Sequence, residues 1–296
     1  MQMKDFKYLD NLIHSGFAEI MLKSDIILAE GEESIYGEGI KLDMEKVTID
    51  GKGHTIDAKS LAGIFHSNSK GITLRNITFK NASCAIYNDE GEMRMENCSF
   101  IDNESRSNGA AIHNYKGKMD ISKCRFIRNT AKMGGAICNY RANMTIRKST
   151  LHKNHAKLFG GAIYSAGDEL KVISSQVSEN SAEIGGGIFS GNGNLFINES
   201  LLNRNTAMIG GALHNEKSLS LLKSKLIGNR ALEYGGAIHN FDGGVNIRES
   251  EIIENTALRH GDGIFSNNPN YELNGCIIED GIHEMANFIQ KGNDTL

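Results

Sequence analysis

One short segment recurs along most of the chain at a spacing of 25 or 26 residues, and this repeat limits the possible folds more than any other feature. In each copy a small residue pair precedes an aliphatic residue, as in GGAIYS and GGALHN. The aliphatic residues are Ile86, Ile112, Ile137, Ile163, Ile188, Leu213, Ile238 and Ile264, with Ile64 as an earlier, less regular member. The period is too short for a propeller blade and lacks the helical periodicity of helix-pair solenoids.

Two further apolar columns complete each repeat. One consists of residues two positions apart, such as Met119 and Ile121, which a strand places on the same face. The other comprises Phe79, Phe100, Phe126, Leu151, Val177, Leu202, Leu226, Ile252 and Ile278. Each repeat therefore contains three short strands whose inward side chains can be buried only against neighbouring repeats. We predict an all-β, right-handed parallel β-helix of about nine coils, each of about 25 residues.

Polar and small columns mark the corners of the predicted coils. The asparagine column contains Asn103, Asn129, Asn154, Asn180, Asn205, Asn229 and Asn255. A stacked amide can hydrogen-bond its neighbours and the turning backbone. Glycine pairs such as Gly160 and Gly161 permit positive φ or close backbone approach. Because nearly every repeat carries these columns, we interpret them as structural rather than catalytic.

The two ends depart from the repeat. We predict a helical cap in residues 1–18, the β-helix in 19–281 and a tail or short capping helix in 282–296. At the start, Phe6, Leu9, Leu12 and Ile13 share one helical face, which suits a cap over the first coil. The apolar stretches are too short or too interrupted for a signal peptide or a membrane span, so we expect no signal peptide, anchor or membrane-spanning segment in this chain.

Charge and motif content argue against several functional classes. The formal net charge is −4 and no long Lys/Arg run occurs, so we expect no nucleic-acid partner. No repeat reads GGxGxD, the calcium-binding nonapeptide. The histidines His113, His214 and His239 recur at one position of the repeat. Residues of other types occupy that position in the three repeats between His113 and His214, so the spacing does not bring together a set of zinc ligands. We predict no metal and no cofactor.

The residue after each inward aliphatic forms what we call the outward strip: Phe65, Tyr87, His113, Cys138, Tyr164, Phe189, His214, His239 and Phe265. Strand alternation turns these side chains away from the core. Such rings could stack on sugar rings or dock a partner, or they could simply stack on one another. We predict that all of them except Phe65 and Cys138 bind a ligand.

Candidate catalytic residues are few. In the atypical repeat RHGDGIF, Arg259, His260 and Asp262 place a cation, a base and an acid within four positions. They could act on a sugar acid, or they could form a variant turn near the end of the solenoid. A second group, Asp50, His54 and Asp57, surrounds two glycines; here a turn explains the composition better.

Five cysteines are present, and two of them, Cys98 and Cys124, occupy one column in adjacent repeats. Adjacent rungs lie about 4.8 Å apart, close enough for a disulfide. The column is otherwise serine, however, and the cysteine total is odd. We therefore predict reduced thiols.

The repeat pattern GGAIxN, an apolar strand and then FxxNxA resembles the adhesin-like β-helix proteins of methanogenic archaea. The opening VTIDGKGHTIDA and the following GITLRNITFKNA share this resemblance, and the repeats are also similar to those of chlamydial polymorphic membrane proteins. The resemblance covers 19–281. It implies a pectate-lyase-like β-helix that acts in adhesion at a cell surface or outside the cell.

From these observations we predict a non-enzymatic recognition or adhesion module that binds a glycan or a cell-surface partner along the solenoid exterior. The alternative is a carbohydrate-active enzyme, a polysaccharide lyase or glycoside hydrolase, because pectate-lyase-like folds also host such enzymes. None of the NTD, DD and GHG motifs shared by hydrolases of that fold occurs in this sequence. A purely structural spacer is a third possibility.

Overall fold

The computed structural model describes residues 4–268 and 270–284. Within them the chain forms a right-handed parallel β-helix whose coils contribute one strand to each of three eleven-stranded sheets. Sheet 1 contains Glu19–Met21, Thr48–Asp50, Lys70–Arg75, Glu92–Glu96, Lys118–Ser122, Asn143–Arg147, Glu169–Ile173, Asn194–Asn198, Leu219–Leu222, Val245–Arg248 and Tyr271–Asn274. Sheet 2 contains Ile26–Ile27, Thr55–Asp57, Thr78–Lys80, Ser99–Ile101, Arg125–Ile127, Thr150–His152, Gln176–Ser178, Leu201–Asn203, Lys225–Ile227, Glu251–Ile253 and Ile277–Ile278.

Sheet 3 carries the repeat aliphatics at its inward positions. It contains Ile40–Leu42, Phe65–Ser67, Ile86–Asp89, Ile112–Tyr115, Ile137–Tyr140, Ile163–Ala166, Ile188–Ser190, Leu213–Asn215, Ile238–Asn240, Ile264–Ser266 and Ile282–Glu284. Short side sheets precede sheet 3 in some coils: Thr130–Met133 pairs with His155–Phe159, and Thr206–Ile209, Arg230–Tyr234 and Thr256–Ala257 form a second group. The predicted fold class is confirmed.

The three apolar columns meet in one continuous core. Strands pair in register, so that Met93 lies beside Met119 and Met95 beside Ile121. The rings of Phe79, Phe100 and Phe126 stack at centroid distances of 4.8 Å, and all three are fully buried. Every coil buries its strands against the coils on either side, which is why a single repeat could not fold alone.

The corners of the coils use residues other than glycine in the left-handed conformation. Lys123 has a φ of 54° and Arg128 a φ of 53°, and equivalent residues recur in most coils. Their long side chains point to solvent and often pair with an opposite charge on the next rung, as Arg128 does with Asp102 at 2.7 Å. The asparagine column lies beside the second of these corners, where its members are buried and hydrogen-bonded to one another.

Both ends of the described chain are covered or paired. Helix Phe6–Ile13 is capped by Asp5, whose carboxylate accepts the N–H of Tyr8 at 2.8 Å, and it packs against the first coil. At the other end, Ile282–Glu284 form the last strand of sheet 3 rather than the start of the predicted helix, because Ile282 pairs with Ile264. The remainder of that predicted tail, 285–296, lies outside the described residues.

Candidate functional site

The outward strip runs along the outer face of sheet 3, but its first member is His66 and not the predicted Phe65. Phe65 pairs with Ile86 and is fully buried, so it occupies the inward column. His66 takes the strip position and packs edge-on against Tyr87 at 4.9 Å. The segment Ile64–Phe65–His66 has two apolar residues in succession, and strand pairing rather than the repeat spacing decides which of them faces the core.

The strip is largely covered, contrary to the exposed surface expected from the sequence. Phe189, His214, His239 and Phe265 retain only 7%, 5%, 6% and 5% of their exposure. Their rings stack rung on rung at 4.9 to 5.5 Å, and side-sheet rings cover them: Phe159 lies 4.9 Å from Phe189. Tyr87, His113 and Tyr164 remain half-buried. Four of the seven predicted binding residues are therefore buried and pack within the protein.

Two histidines of the strip are hydrogen-bonded to each other. His239 Nδ1 lies 2.9 Å from His214 Nδ1, so one ring donates and the other accepts. Burial, and secondarily the neighbouring His214, lowers the pKa of His239 to about 3. His214 Nε2 in turn lies 3.6 Å from Glu216 Oε1. At neutral pH His239 is thus uncharged and engaged within the protein.

A second outward column, two residues further along each strand, is better exposed. We call it the outer column; it comprises Asp89, Tyr115, Tyr140, Ala166, Gly191, Glu216, Phe241 and Asn267. Tyr115 and Tyr140 stack at 6.1 Å and are half-buried, and Phe241 is 54% exposed. On two consecutive rungs between these rings the column contains only Ala166 and Gly191. The repeat spacing is sufficient to align this column from the sequence, but none of its residues is among the predicted binding residues.

The small residues interrupt the line of larger outer-column side chains, and we call this stretch the sheet 3 recess, defined by Tyr140, Tyr164, Ala166, Gly191, Glu216 and Phe241; Ala166 and Gly191 at its floor are buried. Tyr140 and Phe241 lie four rungs apart, about 19 Å at the usual strand spacing. The Arg141 guanidinium lies 5.5 Å from the centre of the Tyr140 ring. A carboxylate oxygen of Glu216 lies 3.5 Å from the place a Cβ would take on Gly191. The recess thus combines aromatic, cationic and carboxylate groups.

The interior of the same two rungs also departs from the repeat. A second asparagine ladder runs inside sheet 3, where Asn88 donates to Asn114 and Asn114 to Asn139 at 2.7 and 2.8 Å. Ser165 and Ser190 interrupt it. The ladder resumes at Asn215, which donates to Asn240 at 2.8 Å.

The residues of the atypical repeat each have structural partners. Arg259 Nη2 lies 3.6 Å from Glu233 Oε1, and the ring of His260 stacks on that of His283 at 4.6 Å. Asp262 accepts the backbone N–H of the residue five positions earlier at 2.6 Å. The Asp262 carboxylate therefore stabilises a turn.

The aspartates of the second candidate group also have structural partners. Asp50 is almost fully buried and accepts hydrogen bonds from Arg75 Nε at 3.0 Å and Asn76 Nδ2 at 2.9 Å. Burial alone would raise the pKa of Asp50, but the hydrogen bonds from Asn76 and Lys52 outweigh burial and hold that pKa well below its usual range. Asp57 accepts the N–H of Lys59, two residues on, as expected for the predicted turn.

Cys98 and Cys124 are free thiols in the structure, as are the other three cysteines. The backbone N–H of Cys98 lies 3.4 Å from Cys124 Sγ, and both residues are buried. Across 4–268 and 270–284, no three His, Cys, Asp or Glu side chains are grouped closely enough to hold a metal ion. No helix in those ranges is both long and apolar enough to cross a membrane.

Comparison with known proteins identifies the fold family. No curated protein matches the chain. Solved structures that match include the catalytic domain of GH87 alpha-1,3-glucanase in complex with nigerose, at 12% identity and a TM-score of 0.31, and a variant of that domain with the same ligand, at 12% and 0.30. Each match covers 90% of this chain and 60% of the other, so the chain spans about 60% of the length of those catalytic domains. Residues 62–231, more than half of the sequence, match the model described as right-handed beta helix region, and the chain belongs to that family.

Proposed function

We propose that the protein is a non-enzymatic recognition module that binds a glycan in the sheet 3 recess. The observation that carries this proposal is the pair of small residues, Ala166 and Gly191, on consecutive rungs between the aromatic side chains of Tyr140 and Phe241. These two rungs interrupt an outer column that otherwise carries larger side chains.

The chemistry of the recess suits a sugar. The apolar face of a pyranose ring packs well on an aromatic side chain, and Tyr140, Tyr164 and Phe241 all retain accessible surface. The Glu216 carboxylate can accept hydrogen bonds from sugar hydroxyls, and the Arg141 guanidinium can donate to them. The stretch from Tyr140 to Phe241, about 19 Å long, matches the length of a short oligosaccharide.

The same features favour binding over catalysis. The recess contains one carboxylate, Glu216, whereas glycoside hydrolysis generally uses two that flank the scissile bond. A stack of hydrogen-bonded coils also holds the rings in fixed positions, which lowers the entropy cost of binding. The resemblance to adhesin-like β-helix proteins adds the suggestion that this binding serves attachment at a cell surface.

The test is a screen of the whole chain against an array of neutral and acidic oligosaccharides, followed by calorimetric titration of those that bind. Phe241→Ala should weaken binding about fivefold, because an aromatic contact contributes about 1 kcal/mol. Phe17→Ala is the matched control, since Phe17 is 64% exposed and lies near the other end of the solenoid.

Three outcomes would overturn the proposal. The first is that no oligosaccharide binds. The second is that Phe241→Ala and Phe17→Ala bind as the unaltered chain does. The third is that bound oligosaccharides are cleaved, with shorter products appearing on incubation; this would favour the carbohydrate-active enzyme instead.

A further inference from the structure

A second surface lies on the side sheet that pairs Thr130–Met133 with His155–Phe159. A depression of about 580 Å³ opens there, and three cationic side chains line it: Arg106, Lys132 and Lys157. All three are exposed. The hydroxyl-bearing residues Ser105 and Thr130 line the same depression. This surface is separate from the sheet 3 recess, and it is not needed for the function proposed there.

The charges in this depression depart from a pairing that is common elsewhere in the solenoid. Elsewhere a cation commonly faces a carboxylate on the adjacent rung, as Lys118 faces Glu92 at 3.2 Å and Lys225 faces Glu251 at 2.8 Å. Such pairs remove repulsion between stacked side chains, which like charges on neighbouring strands would otherwise cause.

Lys132 and Lys157 instead place two like charges on adjacent rungs, because the residues just before them, Ala131 and Ala156, are paired in register. Among the described residues no carboxylate lies within ion-pair distance of Lys132, Lys157 or Arg106. Three neighbouring cations without a counter-charge attract an anionic ligand that can bridge them.

We propose that Arg106, Lys132 and Lys157 form a binding site for the anionic groups of an acidic polysaccharide. A guanidinium and two ammonium groups can each bind a carboxylate or sulfate group, and the nearby hydroxyls can bond to sugar hydroxyls. The cationic patch is short: Glu104 and Glu183 occupy side-sheet positions at its two ends. A patch of two or three rungs suits a few anionic sugar units.

Nucleic acid fits this surface less well. Binding to a phosphate backbone depends on many cationic contacts, whereas this patch offers three on a chain whose formal net charge is −4. The depression also has an apolar floor at Ala131 and Leu158. An apolar floor with hydroxyl and cationic rims is typical of a sugar site.

The test measures binding of two probes, a heparin hexasaccharide and a galacturonate hexasaccharide, which separate sulfate from carboxylate recognition. The double variant Lys132→Gln/Lys157→Gln should lose at least tenfold in affinity for one or both probes, and the salt dependence of binding should become shallower. The matched control is Lys123→Gln/Lys148→Gln, which removes the same charge from exposed lysines on another corner of adjacent rungs. The control should change affinity less than twofold.

Circular dichroism and denaturation midpoints should be nearly the same for all three proteins, because the four lysines are exposed and the Lys123–Glu96 ion pair at 3.1 Å is a surface pair that contributes little. Absence of binding by both probes would overturn the proposal. So would an equal loss of affinity in the two double variants, which would indicate a diffuse charge effect. Duplex DNA that binds as tightly as the hexasaccharides, with the same dependence on Lys132 and Lys157, would also overturn it. If Phe241→Ala does not change the binding of neutral sugars, the proposal for the sheet 3 recess fails, but the proposal for Arg106, Lys132 and Lys157 is not affected. The two proposals can therefore be judged separately.

Discussion

The solenoid contains two asparagine ladders, and only one of them has an asparagine on every rung between its two ends. The corner ladder is unbroken: amide donates to amide at 2.8 to 3.0 Å along Asn103, Asn129, Asn154, Asn180, Asn205, Asn229 and Asn255. It ends on the carboxylate of Asp280. The ladder inside sheet 3 runs from Asn88 to Asn139 and stops at Ser165 and Ser190 before it resumes.

The number of hydrogen bonds at each amide oxygen explains this difference. In the corner ladder the Oδ1 of Asn154 accepts both the backbone N–H and the side-chain amide of Asn129. In the sheet 3 ladder the Oδ1 of Asn139 accepts only the side-chain amide of Asn114. Replacing an asparagine by serine should cost less free energy of unfolding where the amide oxygen accepts one hydrogen bond than where it accepts two. The recess therefore lies on the rungs where the interior tolerates variation.

The largest effect should come from removing one member of the corner ladder. Asn154→Ala leaves two donors of Asn129 without partners in a buried site and removes a hydrogen bond to the Phe126 carbonyl, and we expect a loss of about 3–6 kcal/mol. Asn139→Ala removes fewer buried contacts and should cost about 2–3 kcal/mol. Urea denaturation of both variants measures the difference. Equal losses would show that bond number does not distinguish the ladders.

A smaller and pH-dependent effect is expected from the buried histidine pair. The pKa of His239 is lowered to about 3 in the folded chain, whereas in the unfolded chain it lies near 6.5. Between these values the unfolded state binds the extra proton, so folding stability falls as the pH falls, by up to about 1.4 kcal/mol per pH unit. Well above pH 6.5 His239 is neutral in both states, so its protonation no longer lowers the free energy of unfolding.

His239→Phe should remove that slope, because a phenyl ring can stack between His214 and Phe265 without titrating. Denaturation midpoints of both proteins at several pH values from 7 to 4 provide the measurement. The unaltered chain should lose stability faster than the variant as the pH falls. Parallel curves would mean that His239 is protonated in the folded state as readily as in the unfolded one.

The sequence repeat predicts the fold because each inward column repeats in every coil and has one function, burial. The covering of the strip by Phe159 and Tyr234 could not be predicted in this way, since those rings belong to side sheets that only some coils possess. The position of Phe65 depends on strand pairing, which spacing alone leaves ambiguous by one residue. Alternation along a strand gives the direction of a side chain, but its exposure depends on what packs over it.

The smallest change in stability, with the sharpest consequence for function, should follow from closing the recess. Ala166 pairs with Tyr140 in the outer column, so Ala166→Tyr extends the existing tyrosine stack by one rung. Ala166 is 7% exposed, so the larger side chain must project outward past its neighbours, and we expect a loss of free energy of unfolding of about 1 kcal/mol, at the low end for small-to-large changes. Oligosaccharide binding should be lost, because the new ring occupies the space between Tyr140 and Phe241. If Ala166→Tyr is stable and binds normally, the ligand site is elsewhere, and the interruption of the sheet 3 ladder at Ser165 is then a tolerated variation with no role in recognition.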